Sequence, residues 1–98
     1  MHPVEFLQSW YQAQANGEWE RARGVTIETL ETPGWMVTVD LAGTVLDGRT
    51  MAAVQRERSA QDWLLCEVEE KQFRGQGDSQ KLLTILEIFQ RWASEPPS

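Results

Sequence analysis

Residues 35–42 constrain this chain most. Trp35, Val37, Val39 and Leu41 alternate with Met36, Thr38, Asp40 and Ala42, the period-two pattern of a strand with one buried face. The preceding residues 24–31 alternate too, with Val25, Ile27 and Thr29 on one side and Thr26, Glu28 and Leu30 on the other. Between them stands Thr32-Pro33-Gly34-Trp35. Proline fixes φ at one central turn position and glycine accepts positive φ at the next, which predicts a type II turn. The two runs therefore form an antiparallel hairpin, and a hairpin needs further strands or helices to cover its apolar face.

Helices flank this hairpin. Over residues 3–15, Phe6, Leu7, Trp10, Tyr11 and Gln14 fall at three- and four-residue spacings and set one aromatic stripe toward a core. Asn16-Gly17 supplies the stop, since both residues accept left-handed geometry. At the other end Asp78 or Ser79 caps a helix running to about residue 94. Leu82, Leu83, Ile85, Leu86, Phe89, Trp92 and Ala93 give that helix a broad apolar face, and Pro96-Pro97 end it. Further strands are expected between these ends. Residues 49–58 read as a strand, although MAAVQRER also has helix propensity. Residues 63–69 place Leu64, Cys66 and Val68 on one face and Trp63 and Leu65 on the other. Residues 71–74 add a short edge strand ahead of the loop Gly75-Gln76-Gly77. The predicted fold is α+β: an N-terminal helix, a four- to five-stranded, mainly antiparallel sheet and a C-terminal helix. Both helices lie on one sheet face and leave the other open.

A chain of 98 residues that is 41% apolar, with five Trp and three Phe, supports one domain over residues 1–98 with an ordinary core. It holds no apolar run of the roughly 18–20 residues that span a bilayer, and its N-terminus has neither the basic start nor the apolar stretch of a secretory signal. Cys66 is the single cysteine, so an internal disulfide is excluded and a reducing cytoplasm is the expected setting. Nine basic residues against fifteen acidic ones give a net charge of -6. Such a field repels phosphate backbones, which argues against direct nucleic-acid binding, and it suits a basic partner.

Candidate chemistry is sparse. Gly75-Gln76-Gly77 lacks the length and the Lys-Ser/Thr of a phosphate loop. His2 is the sole histidine and sits near a terminus, so no metal site and no general base can be assembled from one His and one Cys. Cys66 stands in an apolar strand without a pKa-lowering neighbour and reads as a structural thiol. No cofactor motif is present. Carboxylates are plentiful: Glu18, Glu20, Glu28, Glu31, Asp40 and Asp47 surround the first hairpin. Their spacing specifies no cleft of the kind that a two-carboxylate hydrolase needs, so no catalytic residue is assigned. Three readings stand for this acidic region: a solvated face, a recognition surface for a basic protein, or a carboxylate-dependent hydrolase using Glu18, Glu20 or Asp40. A structural domain that self-associates through an open sheet face is a further alternative. Trp35 is expected in the sheet. Trp19 either covers an end of the core or anchors a partner, and acidic neighbours would steer that partner into register.

The segments LQSWYQAQANGEWERARGVTIETLETPGW, VTVDLAGT, ERSAQDWLLCEVEEKQFRGQG and ILEIFQRWA, taken in this order, resemble the immunity protein 53 family of bacterial polymorphic toxin systems. The resemblance covers nearly the whole chain. It is most specific in the combination GEWE, ETLETPGW and DWLLCEVE. It marks Gly17, Trp19, Glu20, Gly24, Thr29, Leu30, Pro33, Gly34, Trp35, Asp40, Leu41, Ser59, Asp62 and Trp63. Where the family often carries Asp before the first of these glycines and His after the Trp-Glu pair, this chain has Asn16 and Arg21. The resemblance implies a non-catalytic protein that binds and neutralises a cognate toxin. Glu18, Trp19, Glu20, Glu28, Glu31 and Asp40 are the expected contacts, and the charge points to a basic toxin such as a nuclease.

Overall fold

The computed structural model describes residues 1–22 and 24–96. Among these, the chain runs α1 (Pro3–Gln14), α2 (Trp19–Ala22), β1 (Val25–Leu30), β2 (Gly34–Asp40), β3 (Val54–Ser59), β4 (Asp62–Glu69), β5 (Gln72–Gly77) and α3 (Leu82–Ser94). The strands form one five-stranded antiparallel sheet in the order β1-β2-β5-β4-β3. The α+β class, the two terminal helices and the β1–β2 hairpin are as the sequence predicts.

Position within the sheet is where sequence and structure part. The segment predicted as a short edge strand is β5, the central one, and Gly75 to Gly77 extend it rather than forming a loop. The reason is α3, which crosses the sheet directly above. A Cβ on Gly75 would collide with Ile85 Cγ2 and lie 3.3 Å from Phe73 Cε2, so the helix can settle only over bare backbone. Gly34 is corrected in the same way. It opens β2 opposite Leu30 without positive φ, and the turn comprises Glu31, Thr32 and Pro33. A side chain at Gly34 would strike the carbonyl oxygen of Gly77; close strand approach, and not turn geometry, requires glycine here. True left-handed residues occur at Glu70 and Lys71, with φ of 51° and 60°. They form a two-residue connection between β4 and β5 whose backbone twist matches the flanking strands.

Two boundaries also move. Residues 41–53 are mostly turns, and β3 begins only at Val54. Helix α3 starts at Leu82 with Lys81 at its N-cap and no side-chain cap. Asp78 instead organises the turn before it, accepting from Gln80 N–H at 2.9 Å. The helix ends at Ser94, where Glu95 turns extended; Pro97 lies outside the described residues.

Paired residues of an antiparallel sheet share a face. Val37, Val39, Phe73, Leu64 and Cys66 point to the helical side and are fully or almost fully buried. Helix α3 lays Ile85, Leu86, Ile88, Phe89 and Trp92 on them, and α1 packs on the same side against α3. A chain of rings ties these layers together. Trp19 meets Trp10 at 5.6 Å, Trp10 meets Phe89 at 5.3 Å, and Phe89 meets Phe73 at 5.1 Å, all edge-to-face. That geometry adds to area burial by placing ring edges on ring faces.

Candidate functional site

The opposite sheet face has no helix upon it. Register assigns to it Thr26 and Glu28 of β1, Met36, Thr38 and Asp40 of β2, and Gln72, Arg74 and Gln76 of β5. Trp63, Leu65, Glu67 and Glu69 of β4 and Gln55 and Glu57 of β3 complete it. Its carboxylates are Glu28, Asp40, Glu57, Glu67 and Glu69, against one cation among the described residues, Arg74. That guanidinium is already engaged. It donates to Gln72 Oε1 at 3.2 and 3.0 Å and lies 3.8 Å from both Glu69 and Glu70. The face therefore presents Glu28 of β1 without a cation beside it, and Glu57 of β3 without an ion pair among the described residues although Arg56 and Arg58 flank it in the chain.

Two concavities mark it. One, of about 300 Å³, is bordered by Thr26, Glu28, Thr38, Asp40 and Gln72, with Ala22 and Gly24 at the end of α2. The other, of about 460 Å³, is bordered by Thr32, Gln55, Glu57, Trp63 and Leu65 together with the β3–β4 connection. The first is polar and acidic. The second combines the Trp63 ring, the aliphatic Leu64 and Leu65, the Gln55 amide and the Glu57 carboxylate, with Arg56 also at its border.

The sequence-derived site residues scatter over this frame. Glu28 and Asp40 come together in the smaller concavity. Glu28 is exposed and Asp40 is buried, its carboxylate accepting from Ala42 N–H at 3.1 Å. Glu31 stands exposed in the β1–β2 turn, next to Thr32 of the larger concavity. Glu18 is exposed on the approach to α2. Trp19 sits in the core, 7% exposed, and its indole N–H donates to the Asp40 carbonyl at 2.9 Å. Glu20 folds back on Asn16-Gly17, accepting their N–H groups at 2.8 and 2.6 Å, while Asn16 Oδ1 accepts from Glu18 and Trp19 N–H at 2.9 and 3.0 Å. This is a reciprocal helix cap. Surrounding backbone N–H groups, its own first and then those of Asn16 and Gly17, hold the Glu20 carboxyl below its usual range. NGEWE is thus a fastening: Asn16 and Glu20 close α2, and α2 lowers Trp19 into the aromatic chain.

Trp63, which the resemblance marked without a role, and Leu65, Glu57 and Glu67 carry the open face, and none of the four was among the expected contacts. A signal for two of them existed. The alternation of β4 sets Trp63 and Leu65 opposite Leu64 and Cys66, on the side that no helix was expected to cover. Trp63 differs from the other tryptophans in its environment. Trp19, Trp35 and Trp92 donate their indole N–H to carbonyls of Asp40, Ser79 and Thr50, and Trp10 is buried. Trp63 is only half-buried, and among the described residues its indole N–H makes no hydrogen bond.

Among the described residues no group of three or more His, Cys, Asp or Glu is placed to hold a metal ion, and no helix is long and apolar enough to cross a membrane. The chain is thus a small α+β domain with one sheet face packed under helices and the other bare and holding a half-buried Trp. Residues 4–94 match the profile of immunity protein 53. The chain belongs to this family of bacterial, non-catalytic immunity proteins, whose partner is a toxin. Comparison with curated proteins and with solved structures gives no match.

Proposed function

We propose that this protein neutralises its cognate toxin by stoichiometric occlusion, binding it through the open sheet face. The observation that carries this reading is the coincidence on one helix-free surface of Glu28, Glu57 and Glu67 with the Trp63 concavity. Long-range attraction from the carboxylates raises the encounter rate with a basic partner, and a partly desolvated Trp supplies a buried anchor at the centre of contact. Glu28 lies on this surface and Glu31 adjoins it, as contacts, and Glu18, exposed just before α2, is a further contact. Trp19, Glu20 and Asp40 act through it, by holding α2 and the end of β2 in place. A toxin that cleaves nucleic acid has the basic cleft such a surface fits, and the cytoplasm is where both proteins would meet. The complex needs no chemistry from this chain.

The hydrolase alternative finds little support in the geometry. Of the carboxylates that alternative uses, Glu20 is tied to the Asn16 and Gly17 N–H groups, Asp40 is buried and accepts from Ala42 N–H, and neither Glu18 nor Glu20 borders either concavity. Self-association through the open face would set like charges against each other, a repulsive arrangement.

The test is co-expression with the toxin encoded immediately upstream, scoring growth rescue together with co-purification as a complex. Rescue with a 1:1 complex is the expected result. No rescue and no complex with that toxin removes the immunity reading.

A further inference from the structure

We propose that the concavity between β3 and β4 is a seat for an arginine side chain presented by the partner, stacked on Trp63 and paired with Glu57. This rests on the binding role proposed for the open face and specifies the chemistry of its anchor.

The walls come from two adjacent cross-strand pairs. Glu57 stands opposite Trp63 and Gln55 opposite Leu65, all on the open side of the sheet. Thr32 closes the cavity from the β1–β2 turn, giving about 460 Å³ of space. Of the cations that could satisfy Glu57 internally, Arg74 and Lys81 are committed elsewhere, and Arg56 and Arg58, which flank it in the chain, form no ion pair with it among the described residues. Arg74 is held at the far end of the β4–β5 hairpin by Gln72, Glu69 and Glu70. Lys81 bonds Asp62 and Asp78 at 2.8 and 2.7 Å. Arg56 borders the cavity, but its register partner is Leu64, which places it on the helical side of β3. Among the described residues Glu57 has no ion-pair partner, and the Trp63 indole beside it has no acceptor.

Leu65 and the indole ring offer apolar contact for an aliphatic stem, the ring face attracts a cation, and Glu57 with Gln55 offers acceptors at the rim. Arginine satisfies all of these together. Its guanidinium is planar, stacks on aromatic faces, carries donors in a fork that matches a carboxylate and is weakly hydrated. A lysine ammonium is more strongly hydrated and lacks both the stack and the fork. A purely apolar side chain would bury the rim of Glu57 without pairing it. The carboxylates of Glu28 and Glu67 on the same face favour the arriving charge without touching it.

The experiment titrates the protein with a blocked Gly-Arg-Gly tripeptide, its lysine counterpart and its citrulline counterpart, following the Trp63 indole resonance by NMR. The Arg peptide is expected to shift that resonance and to bind roughly threefold or more tightly than the Lys peptide at low salt. Citrulline keeps the plane but loses the charge, and should produce little shift. Glu57→Gln, on an exposed edge strand, should reduce Arg-peptide binding toward that of citrulline with an unchanged melting temperature, and Trp63→Leu should abolish it. Equal binding of Lys and Arg, absence of binding by all three, or shifts centred on Glu28 and Asp40 overturns the inference. Both variants are then assayed with the upstream toxin. If wild-type protein rescues and forms a complex while Glu57→Gln and Trp63→Leu do so equally well, the toxin does not use this seat; the inference falls and the immunity reading stands. If wild-type protein neither rescues nor binds, it is the immunity reading that falls.

Discussion

Trp63 and Asp78 are joined by two hydrogen bonds: Trp63 N–H donates to Asp78 Oδ2 at 3.0 Å, and Asp78 N–H donates to the Trp63 carbonyl at 3.3 Å. Both bonds use the Trp63 main chain, so the indole is left for the open face while its backbone is clamped. Lys81 Nζ reaches the same Oδ2 at 2.7 Å and Asp62 Oδ1 at 2.8 Å. The clamp thus fastens the start of β4 to the turn entering α3. Its polar groups lie under the site they position, and Asp78 is 3% exposed.

That clamp makes stability depend on pH from both sides. The Lys81 hydrogen bond, followed by N–H groups of Gln80 and Trp63, holds the Asp78 carboxyl down at about 2 from its ordinary 3.8. A lowered folded-state value means the stabilisation is complete above about 3.8 and is lost as pH falls toward 2. Bonding to Asp62 and then to Asp78 raises the Lys81 ammonium above its usual 10.5, so its contribution is present below that value and disappears at more alkaline pH. Thermal melts across pH 2–11 should show both limbs. Asp78→Asn should lower the melting temperature at pH 7 by several degrees and flatten the acid limb. Unchanged curves for this variant would mean that the clamp contributes nothing.

Gly75 and Ile85 face each other with no room for a Cβ between them. Gly75→Ala must push α3 away from β5 or force Ile85 off its rotamer, an overpacking cost of about 1–3 kcal/mol. The collision is with Cγ2, which Ile85→Ala removes. Urea unfolding of both single variants and the double variant should therefore give a favourable coupling of about 1 kcal/mol or more. Strict additivity would show that the helix does not bear on that glycine.

This contact also explains what the sequence could and could not tell. Alternation over residues 35–42 placed β2 correctly because each of its faces meets one environment. Gly75 and Gly77 carry no side chain to alternate, so the centre of the sheet looked like a loop. The information lay in Ile85, ten residues away, and propensity cannot see a helix pressing on a strand. Asn16 and Glu20 form a reciprocal cap at a spacing of four residues and not the usual three, and it serves a single short turn, Trp19–Ala22, too brief for periodicity to register. Trp19 was consequently open to two readings, and its burial, its contact with Trp10 and its hydrogen bond to the Asp40 carbonyl place it inside. The face of Trp63 was legible from β4. That this face stays bare was legible as well, from the apolar faces of the two terminal helices, which both pack on the other side.

Cys66 should behave as an inert core atom. It is fully buried, and burial pushes its thiol up to about 12, with Arg56 opposing the shift. Iodoacetamide at pH 8 should leave the folded protein unmodified for hours and alkylate it rapidly in urea. Cys66→Ser should cost about 1–3 kcal/mol by enclosing a hydroxyl in an apolar site, which urea unfolding will measure. Rapid alkylation of the native protein would show that the helical side opens locally.

The two tryptophans assigned to different roles can be separated by stability. Trp19→Ala removes a ring from the aromatic chain and leaves the Asp40 carbonyl without its donor, so a loss of about 3–5 kcal/mol is expected. Trp63→Ala removes a half-buried ring whose backbone clamp is unaffected, and should cost less than about 2 kcal/mol. Toxin affinity should rank oppositely once only folded protein is compared: Trp63→Ala should lose at least about 2 kcal/mol as an interface anchor. A Trp19→Phe variant, which keeps most of the packing, should retain binding. Calorimetric titration with the upstream toxin, on samples whose folded fraction is fixed by urea curves, measures both.

Electrostatic attraction through a face differs from attraction by net charge, and the fold allows the two to be distinguished. Glu28, Glu57 and Glu67 lie on the open face, whereas Glu5 and Glu87 are exposed on α1 and α3, which pack on the other side of the sheet. Reversing Glu28 and Glu57 to Lys changes total charge by the same amount as reversing Glu5 and Glu87. If the open face guides a basic toxin, the first pair should lower the association rate by about 10-fold or more at low salt, and the second pair far less. The difference should shrink at high ionic strength, because screening shortens the reach of exposed charges. Dissociation should accelerate only for the pair containing Glu57, which alone adjoins the Trp63 cavity. Equal slowing by both pairs, measured by stopped-flow mixing with the toxin, would assign the attraction to the molecule's overall charge and leave the open face without a steering role.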